Sequence, residues 1–392
     1  MRSLLFLLSM LGIAASPWPK TADAQSVYRT VPVPLRTKGD QIIPPHEFPP
    51  PDSESRQWAC LVSLDPIHRK GVLRLESRDR MIDFELHPAA PIFYRGAPAA
   101  LRDIPPGTMV EIWGYGDEAT QLPRYVLRVS DSFSVQAFQQ RGFRVESIDA
   151  AKKTFQAVSV PQTKSNPSSY EPQWTVGSSI ASPFEETPIT FSFNDQTSWY
   201  LGDRIVAASD LAVGQTIQAN FIRKFYEGPP LITRCTEVWL DESSQSLATF
   251  KQYQRFQSYL RDRGFPLRVD EVDDVKKTIT VTLLETGWND VAKEWKVDQV
   301  HDFAAATTAL GMWEPNGGQS VPDRMFGVKL IERKELPIGY GCGGLQMTFS
   351  VPRLYEAYRK GTIIKLYPTG HPVPVLPIEE RMPKEFDTFL RP

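Results

Sequence analysis

Asp103-Ile104-Pro105-Pro106-Gly107-Thr108-Met109-Val110 and Asp210-Leu211-Ala212-Val213-Gly214-Gln215-Thr216-Ile217 match position for position at an offset of 107 residues. Phe84-Glu85-Leu86 and Phe191-Ser192-Phe193 share that offset. A third version of the later part is Lys360-Gly361-Thr362-Ile363-Ile364-Lys365-Leu366-Tyr367, beside Pro106-Gly107-Thr108-Met109-Val110-Glu111-Ile112-Trp113. In each, a turn glycine leads into an alternating strand. Repetition on this scale decides architecture before any local element is read.

A second repeated piece opens the later units. Arg141-Gly142-Phe143, then Val145-Glu146-Ser147-Ile148-Asp149-Ala150-Ala151-Lys152-Lys153-Thr154-Phe155, matches Arg263-Gly264-Phe265, then Val269-Asp270-Glu271-Val272-Asp273-Asp274-Val275-Lys276-Lys277-Thr278-Ile279. The first unit carries a weaker version, Val62-Ser63-Leu64-Asp65 followed by Arg69-Lys70-Gly71-Val72. This reads as a hairpin: an apolar strand, an Asp-led turn with basic residues in solvent, then Thr and β-branched or aromatic residues opening the next strand. Each unit has the strand count of a small five- or six-stranded barrel of the OB type.

Helical spacing is confined to the joints. Ser246–Arg263 places Leu247, Phe250, Tyr253, Gln257 and Leu260 at three- and four-residue intervals and stops at Gly264, and Ser134–Arg141 is a shorter counterpart stopped by Gly142. The expectation is a mainly β protein of three tandem small OB-like β-barrels joined by short α-helices. The first barrel spans 57–133, the second with its helix 134–243, and the third with its helix 244–380, followed by a tail over 381–392. The third barrel carries a long insertion, 286–344, between its opening hairpin and its closing strand. Within it Val300–Met312 reads as a short helix capped by Asp302, with Phe303, Ala306 and Leu310 inward.

The tandem pattern V-x-x-(I/V)-D-x-x-K-K-T-Φ, followed by a glycine-led strand in an exported chain, resembles the OB-like repeats of planctomycete-type exported envelope proteins of unknown function. The resemblance covers residues 58 to about 370 and implies a fold and an exported setting. It implies no catalytic residues, because its motifs describe strands and turns.

Ahead of the barrels, residues 1–24 read as a signal peptide. Arg2 supplies the positive start, Leu4–Ala15 the apolar stretch, and Ala22-Asp23-Ala24 the small-x-small cleavage site. Residues 25–56 follow as a leader in which seven prolines favour extended polyproline II geometry. Export and a soluble mature chain without a transmembrane segment are therefore expected, with an envelope protein or a glycan as partner. Lys+Arg 44 against Asp+Glu 46 gives a net charge of −2, so no nucleic acid is expected.

Nucleophile elbows, phosphate-binding loops, zinc spacings and C-x-x-C pairs do not occur, and neither a metal nor a cofactor is expected. The function expected is binding or scaffolding in a bacterial envelope. One alternative is an enzyme whose site lies in the insertion, which holds His301 as a candidate base, Trp313 and Glu314, Asp323, and Cys342 among glycines as a candidate thiol. The other is binding of an oligosaccharide, ahead of an oligonucleotide, by exposed aromatics: Trp113 and Tyr115 share a strand face by period two, and Trp199 stands in the second unit. Cys60, Cys235 and Cys342 are too few for a disulfide framework, so the core must be hydrophobic, and Cys235, in an alternating strand, points inward.

Overall fold

The computed structural model describes residues 55–65, 69–75, 80–86, 90–117, 122–162, 188–224, 232–284, 295–305, 324–336, 343–354, 358 and 360–367. Residues 1–54, which hold the expected signal peptide and most of the expected leader, and residues 381–392, the expected tail, lie outside them. The chain is mainly β, with closed barrels in its second and third sheets.

The first sheet is built from β1 (Ser55–Asp65), β2 (Lys70–Leu75), β3 (Arg80–Glu85), β4 (Ile92–Tyr94), β5 (Ala97–Pro98), β6 (Met109–Asp117) and β7 (Leu122–Asp131), in the order β3-β2-β1-β6-β7-β4-β5. A parallel bridge from Leu86 to Val126 brings the end of β3 back to β7. The second comprises β8 (Arg141–Asp149), β9 (Thr154–Pro161), β10 (Ile189–Ser192), β11 (Ser198–Leu201), β12 (Arg204–Val206), β13 (Thr216–Lys224) and β14 (Ile232–Trp239), in the order β10-β9-β8-β13-β14-β11-β12. Parallel pairing of β10 with β14 closes it. The third is a closed barrel of β15 (Phe265–Asp273), β16 (Thr278–Leu283), β17 (Val300–Ala305), β18 (Arg324–Glu335), β19 (Leu345–Ser350) and β20 (Ile363–Tyr367), in the order β15-β16-β19-β18-β17-β20.

The same local devices hold all three sheets. Gly107, Gly214 and Gly361 have φ of 90°, 84° and 87°, a region open to glycine and strained for other residues. Their amides donate to the carbonyls of Leu61, Val145 and Val269 at 2.5, 2.7 and 2.7 Å. At each of those residues the first-strand ladder shifts register, at Leu61/Ser63, Val145/Ser147 and Val269/Glu271. A bulge of this kind bends the strand and lets a small barrel curl. Arg69, Lys153 and Lys277 end the hairpin turns at φ of 54°, 52° and 54°. Their carbonyls accept from the amides of Leu86, Phe193 and Val351 at 2.8, 3.0 and 2.9 Å.

The insertion is part of the third barrel wall rather than an excursion from it. β17 and β18 both come from within 286–344 and take the places between β19 and β20. The helix expected from Val300 is absent: residues 300–305 are strand β17, paired with both β18 and β20, and residues 306–312 lie outside the described region. The spacing of Phe303, Ala306 and Leu310 is compatible with a helix, but pairing of 300–305 with β18 and β20 makes this stretch a wall strand, tertiary context overriding local propensity.

Two helices complete the described fold. α1 (Ser132–Phe138) and α2 (Glu242–Arg263) begin earlier than their apolar spacing suggests, because Asp131 and Asp241 act as caps and accept from the amides of Ser134 and Ser244 at 2.9 Å. α2 touches all three sheets. Gln252 and Arg255 reach Asp103 of the first at 3.2 and 3.0 Å, Gln245 meets Gln162 of the second at 3.1 Å, and Phe256 and Leu260 enter the core of the third. Cys60 and Met109 of the first sheet pack in the hydrophobic core of the second, with Phe143, Phe221 and Cys235.

Candidate functional site

Two of the aromatic residues singled out for stacking, Trp113 and Trp199, are interior groups. Trp113 is 4% exposed and lies between two guanidiniums, Arg56 at 3.9 Å and Arg128 at 4.6 Å from its ring. Its indole N–H donates to Glu111 at 2.7 Å. Burial lowers Arg128 to about 10, with Glu111 acting in the opposite direction. Trp199 is also 4% exposed and packs edge-on to Phe193 in the second core. Neither ring presents a face to a ligand. The backbone of Tyr115 lies in β6; its side chain, together with Trp313, Glu314, Asp323 and Cys342, lies outside the described residues.

His301 is inside the third barrel, not at a helix start. It is 2% exposed, its ring centroid 6.2 Å from Trp295 and 5.8 Å from Phe349, and neither ring nitrogen has a hydrogen-bond partner. Burial holds its pKa down at about 4, against a weak opposing pull from Asp302. Cys235 is buried as expected, and burial raises its thiol pKa strongly; burial likewise raises Cys60 to about 11, partly offset by Arg74. Both are free thiols.

A buried polar junction, invisible in the sequence, joins the first two sheets. Glu237 on β14 accepts from Tyr94 Oη at 3.1 Å and Asn220 Nδ2 at 3.3 Å, and forms an ion pair with Arg95. Asn220 Oδ1 in turn accepts from Ser132 Oγ and the Phe133 amide, both at 3.2 Å. Asp131 accepts from the amides of Arg95 and Ser134. Complete burial raises its pKa even though these hydrogen bonds oppose the rise. The partners are up to 143 residues apart, so no local motif could announce them.

The outer side of the third barrel wall carries a cluster of hydrogen-bonded polar side chains. Cross-strand partners in an antiparallel ladder project to the same side. The register therefore sets Arg268, Thr282, Gln346 and Lys334 in one row across β15, β16, β19 and β18, in which Thr282 is buried, and Glu271, Thr280, Thr348 and Glu332 in the next. The bulge at Val269/Glu271 adds Asp270 to this face. Asp270 Oδ2 accepts from Thr282 Oγ1 and from Gln346 Nε2 at 2.9 Å, and Oδ1 from Arg268 Nε at 3.1 Å. Thr280 and Thr348 hydroxyls lie 3.1 Å apart.

The matching places in the other sheets differ. In the second, Arg144 and Glu146 form the same pair at 2.8 Å, but Val158 stands opposite Arg144. In the first, Cys60 and Val62 replace the charged pair, and Cys60 is buried against the second core. The sequence does contain the Arg-x-Asp spacing of 268 and 270, yet an outward polar alternation is common to solvent-facing strands and did not single them out.

Among the described residues, no group of three His, Cys, Asp or Glu side chains could hold a metal ion, and no helix is long and apolar enough to cross a membrane. Comparison with known proteins gave no matching family model, no similar curated protein and no similar solved structure.

Proposed function

We propose that the chain is an exported binding and scaffold protein of a bacterial envelope, built from three OB-like barrels, whose third barrel holds a neutral polyhydroxylated glycan on the outer face of β15, β16, β19 and β18. The barrel assignment is supported by the strand orders and by the glycine and bulge contacts found in all three sheets. In the second sheet β8-β9-β10-β14-β13 closes through a parallel pair. That is the connectivity of a five-stranded barrel whose third and fifth strands meet in parallel. Export is supported by the segment ending at Ala22-Asp23-Ala24.

The observation that carries the binding reading is the polar row centred on Asp270. OB barrels use the face around their second and third strands for ligands, and here that face carries the Thr280 and Thr348 hydroxyls, the Gln346 amide and the Arg268–Asp270 pair at the strand spacing of about 4.8 Å, while the buried Thr282 hydroxyl holds Asp270. Asp270, Glu271 and Glu332 outnumber Arg268 and Lys334, which disfavours a polyphosphate backbone. Sugars present donors and acceptors without net charge and meet such a face without burying an unpaired ion.

The test is retention of the mature chain, 25–392, on a panel of insoluble glycans, beside Asp270→Ala. Selective retention of the parent and at least tenfold weaker retention of the folded variant is the expected result. Equal retention of both, or retention of neither on any glycan, overturns the reading.

A further inference from the structure

Among the described residues the third barrel is completed by β17 and β18, with β17 joining β18 to β20. His301 sits on β17 with its ring in the apolar interior, against Trp295 and Phe349, and Phe265 packs edge-on to Trp295 at 5.0 Å. The β17–β18 ladder breaks register between His301 and Phe303, so the hairpin is least continuous at the histidine.

The described charged groups on the surrounding elements are paired or outward-facing, with Glu332, Lys334 and Glu335 of β18 exposed. Asp302, next in the chain, accepts from the Gly327 amide at 3.0 Å. On β18, exposed Lys329 pairs with Asp298 at 2.7 Å, and Arg333 donates to the Trp295 carbonyl at 3.0 Å. On β20, Lys365 alternates with the buried Ile364 and Leu366 and so belongs to the outer face. β19 offers the ring Phe349. Among the described residues, none brings an acceptor within hydrogen-bond distance of either imidazole nitrogen.

We propose that the β17–β18 hairpin is an acid-released latch on the third barrel, held shut by neutral His301 and freed when the imidazole takes a proton. An imidazolium in this interior would be a buried charge with no partner, and moving β17 out of the wall returns it to water. This is separate from the glycan reading, because it concerns the barrel interior.

The sign follows from linkage. The closed state binds fewer protons than the open one, so closure is at full strength above 6.5 and weakens as pH falls toward about 4. A pKa gap of that size makes opening up to about 300-fold more favourable in acid.

Hydrogen exchange of the mature chain, corrected for intrinsic rates, at pH 7.5 and 4.5 tests this. Peptides over 295–305 and 324–335 are expected to lose protection in acid by tens- to hundreds-fold, with β8 and β9 unaffected, and His301→Phe is expected to abolish the loss. Protection that does not change with pH, or the same acid loss in folded His301→Phe, overturns the proposal. If that variant does not fold, carbon-13 histidine NMR of the parent decides. Titration of His301 in step with loss of β17 protection supports the latch, and titration near 6.5 with β17 still protected overturns it.

Discussion

Asn220 joins the start of α1 to the ion pair on β14: its side-chain oxygen accepts from the Phe133 amide at 3.2 Å while its nitrogen donates to Glu237 Oε2 at 3.3 Å. Glu237 reaches back to Tyr94 and Arg95 of the first sheet, so one side chain links a helix cap and two sheets. With α2 spanning all three sheets, this junction makes the assembly a fixed support rather than beads on a string.

Removing the acceptor should therefore cost more than one ordinary hydrogen bond. Glu237→Ala strands the Arg95 guanidinium, the Tyr94 hydroxyl and the Asn220 amide, and is expected to lower stability by about 3 kcal/mol. Asn220→Ala should cost about 2 kcal/mol, and the double variant less than the sum, because the two share a contact. Urea unfolding of the set measures this, and strict additivity would show that the two residues act independently.

The turn glycines give a graded prediction. A Cβ at Gly214 meets nothing within 4 Å, so Gly214→Ala carries only the cost of a positive φ, about 1 kcal/mol. At Gly107 the added Cβ would lie 2.7 Å from Ile222 Cγ2, so Gly107→Ala should cost at least about 1 kcal/mol more. Equal midpoints for the two variants would contradict the close approach of the first two sheets at Ile222.

Asp131 and Asp241 perform the same capping task in opposite surroundings. Partial burial of Asp241 resists ionisation, but hydrogen bonds from Ser244, Ser243 and the Gly202 amide together outweigh it and hold the pKa down at about 2. A carboxyl with a depressed folded-state pKa stabilises fully above its ordinary value of 3.8, and that contribution fades as pH falls through about 2. Asp241→Ala should then cost about 1 kcal/mol at pH 7, with the gap closing toward zero near pH 2. A gap of constant size across that range in thermal melts would mean that the charge of the cap is irrelevant.

Local chemistry made the turns legible and left the long-range pairings hidden. Gly107, Gly214 and Gly361, and the basic residues Arg69, Lys153 and Lys277, stand out because a turn needs them within a few residues of one another. β17 was hidden because its partners are β18, across the undescribed residues 306–323, and β20, some sixty residues on, whereas its own residues run into an alanine-rich stretch with helical spacing. For Trp113 the strand pattern allowed both core packing and a surface stack, and it is core packing that holds: the residue that covers it, Arg128, comes from the neighbouring strand, which only the register of β6 against β7 shows. His301 read as a histidine at a helix start, or else a candidate base, because its burial depends on Trp295 and Phe349, which the fold brings to it.

The face on the third barrel is tested most directly by methyl NMR on threonine-labelled mature chain, titrated with a soluble fragment of the retained glycan. Thr278, Thr280, Thr282 and Thr348, all on β16 and β19, are expected to shift together and saturate with one binding constant, while Thr197, buried in the second sheet, stays still. Saturable shifts confined to threonines of the first or second sheet, with these four unmoved, would contradict it.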